Sequence, residues 1–480
     1  MKTLYWHDYE TFGLDPRYDR ASQFAGIRTD EELNIIGKPL MVYCKPADDF
    51  LPHPQACLVT GITPQEAAEK GVNEVEFIKL IHQELSADNT CGVGYNSLNF
   101  DDEFTRFILY RNFYDAYARE WQNGCSRWDI IDVARLTRAL RPEGINWPNR
   151  EDGKPSFRLE HLTAANNIQH KGAHDALVDV YATIALAKLI KKNQPKLYDY
   201  VYQHRQKQAI SPLLNLNDRL PIIHVSRMYS SEYYGTALVI PLAIDPNNSN
   251  GIIVYDLRHD PSDFINEDPA ILRDWLFSPS KNLAKGTKRP ALKTIYINKC
   301  PIIVPEKTLN DAAADRLQID RELHKKHLRQ INDAGDLTAK INAIFTKPDY
   351  LSTDDPDANL YGGGFFSGND KKNMALIRDT GAEELSTLAI AFDDSRLDEM
   401  LFRYRARNWP DGLNTDEKEE WQDYCKQRLT QEDNSAILNF TRYFSQIDAC
   451  KKQATTDKQQ DVLEKLKAYG LSRQVQLTNL

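Results

Sequence analysis

This 480-residue sequence predicts a multidomain α/β protein. Three observations carry the expectation. Residues 1–190 alternate strand-like and helix-like segments, the pattern of a mixed α/β layer domain. Residues 210–300 change to short β-rich runs broken by Pro, Asn-Asn and Gly turns, as in a small, mostly antiparallel domain. After the polar, proline-bearing stretch KPDYLSTDDPDANLYGGGFF, helical periodicity continues almost to the end. So long a chain also favours two or three cores over one.

Each element follows from its local pattern. TLYWHD, QFAGIRT and IIGKPLMVYC are apolar, β-prone runs and are expected as strands. CGVGYN reads as a short buried strand ending in a glycine turn. EFTRFILYRNF places Phe104, Phe107 and Ile108 at helical spacing. Asp175 to Lys191 is the clearest helix. Leu177, Val180, Tyr181, Ile184 and Leu189 form its apolar stripe, Asp175 caps it, and Lys188, Lys191 and Lys192 suit its C-terminus. PIIHVS, TALVIPLAI, GIIVYDL and LKTIYINKCPIIV supply the later strands, and residues 308–346 turn helical again. The boundaries expected are 1–192, 195–348 and 352–480, with residues 1–190 able to hold the site described next by themselves.

Composition narrows the function classes. Hydrophobic residues at 41% and charged residues at 27% are ordinary for a soluble globular protein. A net charge of −9 is not the footprint of a protein coated in basic residues to grip duplex DNA, although a locally basic groove remains compatible with it. No run of 18 apolar residues appears, so no membrane span is expected, and MKTLYWHDYE lacks a signal-peptide core. Seven scattered cysteines without a CxxC pair point to structural thiols in a reducing cytosol, hence a cytoplasmic protein.

Four acids and a histidine carry the chemistry. Asp8 and Glu10 stand two apart on a strand, so they project to one face, where two anions repel unless cations sit between them. Asp101 follows at a helix start, and His174 and Asp179 close the set in HDALVDVY. Carboxylate oxygens are hard ligands suited to Mg²⁺ or Mn²⁺. Two such ions ~3.5–4 Å apart clamp the attacking and leaving oxygens of a phosphodiester. A histidine beside the last carboxylate is placed to take a proton from the attacking water. The expectation is a metal-dependent nuclease. Taken singly, Asp-x-Glu is a weak signal and Asp101 reads as a helix cap; the ordered set is specific. His170 and His174 form an HxxxH pair, but Lys171-Gly172-Ala173 is a poor helix start and no Cys or third His lies nearby, so zinc is not expected.

That order resembles the histidine-bearing branch of the DEDD exonuclease superfamily. HDYETFG, QFAGIRTD, YCKPADDFLP, GYNSLNFDDE, SRWDIIDV, PSFRLEHLT and AHDALVDVYATIA, with INKCP, YGGGFF and LFRYRARNWP later on, extend the resemblance over the whole chain to the bacterial exodeoxyribonuclease I family. YGGGFF carries an extra glycine, and the loops around 227–234 and 278–290 diverge. The resemblance implies an RNase H-like exonuclease domain, an SH3-like β domain and a C-terminal helical domain. It implies single-strand-specific 3′→5′ hydrolysis of DNA to 5′-mononucleotides with two Mg²⁺ ions, for which Mn²⁺ is a plausible substitute. In that scheme Asp8 bridges the metals, Glu10 and Asp179 complete one site, Asp101 acts through water and His174 is the base. It also implies a monomer working in DNA repair and recombination, and an encounter with the single-strand DNA-binding protein, for which Arg141 is the suspected contact.

Single-strand binders combine cations with aromatic rings, and both kinds of residue interleave between Arg106 and Arg135. By the resemblance, Arg106, Tyr117, Trp121 and Arg135 contact the strand, and Arg158 lies near the terminal nucleotide beside Glu10. Lys207, Asn250, Lys293, Tyr296 and Asn359 match further contact positions. Residues 278–299 hold six Lys or Arg and no acid. RYRARNW at 403–409 stays unassigned between DNA contact and domain tie. Two rivals stand beside this reading. One is a 3′→5′ RNA exonuclease, because the core by itself does not exclude a 2′-hydroxyl. The other is a non-catalytic single-strand-binding scaffold, against which clustered carboxylates in an anionic groove argue.

Overall fold

The computed structural model describes residues 1–170, 175–346, 353–432 and 435–478. The first sheet uses β1 (Thr3–Thr11), β2 (Ala21–Thr29), β3 (Ile35–Tyr43) and β4 (Thr90–Gly94). A further strand, β5, spans Ser126–Asp129, and five more follow: β6 (Ile222–Val225), β7 (Thr236–Asp245), β8 (Asn248–Asp256), β9 (Leu292–Tyr296) and β10 (Ile303–Pro305). Seven helices matter for the site and its support: α1 (Pro54–Thr60), α2 (Pro64–Lys70), α3 (Glu74–Leu85), α4 (Asp101–Arg111), α5 (Ile130–Leu140), α6 (Leu159–Ala165) and α7 (Ala176–Asn193). The expected strands and the two expected helices of the first 190 residues all form, with ends within a few residues of the sequence reading. A mixed α/β stretch, a small antiparallel β stretch and a helical C-terminal stretch follow one another along the chain, as the sequence pattern predicts.

The chain divides into two compact units. One comprises Met1–Ser126, Lys171–Tyr181 and Leu351–Leu480; the other comprises Arg127–His170 and Ala182–Tyr350. In the first, strands run in the order β3-β2-β1-β4, with β1 antiparallel to β2 and parallel to β4. Tyr5, Tyr9 and Phe24 from the sheet pack with Phe77, Ile78 and Ile81 of α3 and Phe104 and Ile108 of α4. A second core belongs to no single sequence segment. Phe12, Phe50, Leu51 and Cys57 pack with Trp421, Cys425, Leu429, Tyr443 and Leu466 from the C-terminal helices. A third joins Phe107, Tyr110 and Phe113 to Met374, Ile377, Leu397 and Tyr404. The C-terminal helices therefore complete the core of the first 126 residues.

Ionic pairs run along the same seam. Arg407 Nη2 donates to Asp49 Oδ2 at 2.7 Å and Asp357 Oδ2 at 2.6 Å, and Arg403 Nη1 reaches Asp355 at 2.7 Å and Asp357 at 3.0 Å. Arg428 donates to the Asp49 carbonyl at 3.0 Å. Arg407 of RYRARNW, with Arg428, thus ties the helical stretch to the N-terminal one, while Arg403 and Arg405 pair within the C-terminal stretch.

The second unit holds an antiparallel five-stranded sheet in the order β10-β6-β7-β8-β9. Its core joins Ile222, Val239, Val254, Ile295 and Ile303 with Ile210 and Leu214. The expected helices between 308 and 346 form as Asp311–Arg316, Arg321–Asp333 and Thr338–Phe345. Among the described residues no helix is long and apolar enough to cross a membrane.

Candidate active site

Strand alternation builds the first half of the site. Tyr9 points into the core against Phe24 and Phe77, with ring centroids 4.8 and 6.2 Å away, so Asp8 and Glu10 take the other face. Pairing of β1 with β4 runs from Thr3↔Thr90 to Trp6↔Val93. Asp8 and Glu10 lie beyond that pairing, opposite Ala25 and Gln23 of β2. A strand that outruns its parallel neighbour leaves room at its carboxyl end for groups from other elements.

Two helices fill that room. Asp101 opens α4 and its Oδ1 accepts from the Tyr9 backbone N–H at 2.9 Å, across 92 residues. The Thr105 hydroxyl donates to the Asp101 carbonyl at 2.8 Å and to the Tyr9 hydroxyl at 3.1 Å. Asp101 is thus fixed to the strand that carries Asp8 and Glu10, beyond any capping role. Asp179 lies in the first turn of α7, where the helix dipole favours an anion. The Ala176 N–H at the start of that helix donates to Gln23 Oε1 on β2 at 3.4 Å. One carboxylate oxygen each from Asp8, Glu10 and Asp179 lie within 4.8 Å of one another.

Crowded anions show in the titration of these groups. Burial pushes Glu10 up to about 9, and Asp179, Asp101 and Asp175 add to the rise. Burial likewise raises Asp8 well above the carboxylate range, helped by Asp101, Glu10 and Asp179. Asp101 is pushed up to about 7, again chiefly by burial, against the Tyr9 N–H that lowers it. The dominant influences on Asp8 and Glu10 are burial and other carboxylates. A cluster of hard oxygen donors in that state fits a divalent cation, with Asp8, Glu10 and Asp179 as the ligands. His174, the histidine expected to act as general base, lies outside the described residues, as does the HxxxH spacing that depends on it.

The expected strand contacts fall into distinct settings. Arg106 is only 4% exposed, with Nε 2.7 Å from Glu120 and Nη1 2.5 Å from Glu103, and its guanidinium covers the Tyr117 ring at 5.4 Å. Trp121 is 65% exposed. The Asn359 carbonyl accepts from Arg396 at 3.0 Å. In the second unit, Lys207 Nζ donates to Asn250 Oδ1 at 2.6 Å, and Tyr296 pairs with Gly251, the residue after Asn250. Lys293 and Arg135 both act on the Asp132 carboxylate, and burial brings the Lys293 amine down to about 8. Arg158, the residue before α6, is exposed with Glu160 at 4.0 Å. Arg141 donates to the Thr308 carbonyl at 2.8 Å.

Sequence reading missed several supports. Tyr9, Thr105 and Gln23 act through backbone or cross-element bonds that leave no local pattern. Asp102, next to Asp101, forms a buried pair with Arg119 at 2.5 Å; the doubled Asp-Asp was the available signal.

Comparison with known proteins agrees with this geometry. Three family descriptions match successive stretches: "Exonuclease" over residues 5–187, "Exonuclease I SH3-like domain" over 205–347 and "Exonuclease I C-terminal domain" over 354–473. Exodeoxyribonuclease I of Escherichia coli (strain K12) is 47% identical over 433 residues, 90% of this chain and 91% of its own. The Haemophilus influenzae enzyme of the same name is 47% identical over 429 residues, 89% and 90% of the two chains. Among solved structures, E. coli Exonuclease I in complex with a dA16 oligonucleotide superposes with a TM-score of 0.94 at 44% identity, over 98% of this chain and 100% of that one. The moderately thermophilic Exonuclease I from Methylocaldum szegediense gives a TM-score of 0.94 at 48% identity, over 98% and 100%. Matched by exonuclease family models over most of its length and by relatives of 47% identity over about nine-tenths of each chain, the protein is a DNA exonuclease of the exodeoxyribonuclease I family.

Proposed function

We propose that this protein hydrolyses single-stranded DNA from its 3′ end, releasing 5′-mononucleotides with the help of two Mg²⁺ ions, for which Mn²⁺ can substitute. The observation that carries the reading is the convergence of Asp8, Glu10 and Asp179 beside an Asp101 held by the Tyr9 N–H. The relatives solved with dA16 and dT13 oligonucleotides support the choice of a DNA strand as substrate.

Divalent ions bound there would supply the positive charge that offsets the attacking and leaving oxygens of an in-line displacement. The chain's own groups do the rest. Asp8, Glu10 and Asp179 hold the cations and thereby fix the scissile phosphate, and Asp101 orients water at the rim. His174 takes the proton of the attacking water. The new bond joins that water oxygen to the terminal phosphorus while the bond from phosphorus to the 3′ oxygen breaks. Arg158 orients the terminal nucleotide, and Arg106, Tyr117, Trp121, Arg135, Lys207, Asn250, Lys293, Tyr296 and Asn359 line the path of the strand. We place the enzyme, as a cytoplasmic monomer, in DNA repair and recombination, with the single-strand DNA-binding protein meeting it near Arg141.

The test uses end-labelled single-stranded DNA, blunt duplex and RNA, each with Mg²⁺ and with chelator. Single-stranded DNA is expected to shorten from its 3′ end only when metal is present, with a 3′ block protective and a 5′ block harmless. Asp8→Ala should abolish the reaction in a folded protein, and His174→Ala should slow it about 10²–10⁴-fold. Digestion from a free 5′ end, or full activity of folded Asp8→Ala, refutes the proposal; faster loss of RNA moves it to the rival substrate.

A further inference from the structure

Helix α4 links the acidic site to a set of aromatic rings. Asp101 opens it at the carboxylate cluster, and Arg106 follows five residues later, about 8 Å along the axis. The Arg106 guanidinium lies over the Tyr117 ring at 5.4 Å, locked by Glu120 and Glu103. Glu103 also accepts from the Tyr361 hydroxyl, and Phe107 meets the Tyr361 ring edge-on at 5.7 Å. Tyr117 in turn meets the Phe365 ring at 6.4 Å with the planes 70° apart. An edge-on contact leaves a ring face open. Phe365 is 88% exposed, Trp121 65% and Tyr361 49%.

Phe365 owes its position to the glycines before it. A Cβ on Gly363 would fall 1.6 Å from Arg396 Nη1. That guanidinium has no freedom to yield, since it is held by Asp394 at 2.7 and 2.9 Å and by the Asn359 carbonyl at 3.0 Å. Gly364 has φ of +74°, a left-handed conformation that favours glycine. The next ring, Phe366, turns inward and stacks on Tyr110 at 5.8 Å beneath Arg396. Two neighbouring phenylalanines thus receive opposite treatment, and the backbone is specialised to keep the first in solvent.

We infer that Phe365 is a base-stacking residue, extending the Tyr117 ring into a platform for bases a few nucleotides from the 3′ end held at the carboxylates. The occupant is a nucleobase because the open faces adjoin the buried Arg106 guanidinium and Phe107, both on the helix that opens with Asp101 at the carboxylate cluster. Flat π faces accept any base, so the contact adds affinity without sequence preference. This inference rests on the single-strand substrate proposed above.

The experiment measures Kd of the full-length protein for a fluorescent single strand in chelator, where no hydrolysis occurs. Phe365→Ala, Phe365→Trp and the parent protein are compared on an ordinary strand and on one with abasic residues in successive positions from the 3′ end. One stacked base predicts that Phe365→Ala weakens binding about five- to hundredfold. The tryptophan variant retains it. The parent's preference for the ordinary over the abasic strand shrinks by the same factor in the alanine variant, a readout that a merely structural loss would not produce. Parent-like Kd for Phe365→Ala overturns the inference. Equal weakening on both strands also overturns it, because the effect then lies outside base stacking. A parent protein that binds neither strand sinks the substrate reading itself, a result distinct from the other two.

Discussion

Glu10 shows how a site built for a cation loads the protein that lacks one. Its carboxyl is pushed up to about 9 by burial and by Asp179, Asp101 and Asp175. The folded state therefore holds this proton more tightly than the unfolded chain, whose glutamate titrates near ~4.3. With a raised folded pKa, the group's stabilising contribution is full at acid pH and is lost as pH rises from the unfolded value through about 9. Glu10→Gln, neutral throughout, escapes the loss. In chelator, the Tm of Glu10→Gln should exceed that of the parent by a margin that widens from pH 6 to pH 9. Adding Mg²⁺ should raise the parent's Tm more at pH 9 than at pH 6 and leave the variant little changed. Taking the difference between the two proteins cancels His7 and His82, both lowered to about 4 by burial. A margin independent of pH would remove Glu10 from the coupled acidic cluster.

At the scale of elements, the helix Arg396–Asn408 is fixed by charges that no local pattern announces. Burial alone would raise Asp49 and Asp357, but Arg407, with Arg20 and Arg428 at the first and Arg403 at the second, holds both below the ordinary carboxylate range. Removing one member of a buried pair leaves the other charge uncompensated, at a cost of about 3–5 kcal/mol. Arg407→Ala should therefore lower the stability of the first unit by about that amount in urea titrations at pH 7. Depressed folded pKa values contribute stability above the unfolded carboxylate pKa that is lost as pH falls below it. The parent should accordingly lose stability below about pH 4, and Arg407→Ala should lose less over the same interval. Unchanged stability at pH 7 would show that solvent reaches these groups. The same pairs explain what was legible in the sequence. Strand alternation around Tyr9 put Asp8 and Glu10 on one face, and the apolar stripe of α7 carried Asp179, because both are short-period signals. Arg407 meets Asp49 358 residues away, and Asp101 meets Tyr9 across 92. Contacts at that separation have no periodicity to betray them, so RYRARNW was left open between DNA contact and domain tie, and Asp101 read as a cap when taken alone.

For the whole molecule, order along the chain differs from order in the fold. The sequence boundaries isolate residues 1–192, yet Phe12, Phe50, Leu51 and Ile62 share one core with Trp421, Leu429, Tyr443 and Leu463. Burying each such side chain is worth about 1.5–3 kcal/mol, so exposing the first four forfeits roughly 6–12 kcal/mol, comparable with the entire stability of a typical domain. Phe12 also stands two residues after Glu10, at the end of the strand that carries both β1 ligands, and its N–H donates to the Arg20 carbonyl at 2.8 Å. Loss of its packing loosens the strand end where the carboxylates of Asp8 and Glu10 meet Asp179. A chain ending at residue 350 should therefore bind a hydrophobic dye, unfold without a cooperative transition and show no Tm rise on adding Mg²⁺. It should also fail to cleave a dinucleotide, which is too short to need any distant contact with the strand. Restoring residues 351–480 as a separate polypeptide should recover part of the dinucleotide activity, because the missing surface is a packing face and carries none of the four described acids. A monomeric, cooperatively folding 1–350 fragment with parent-like cleavage of the dinucleotide would show instead that the exonuclease core stands alone, and that the C-terminal helices serve only the path of longer strands.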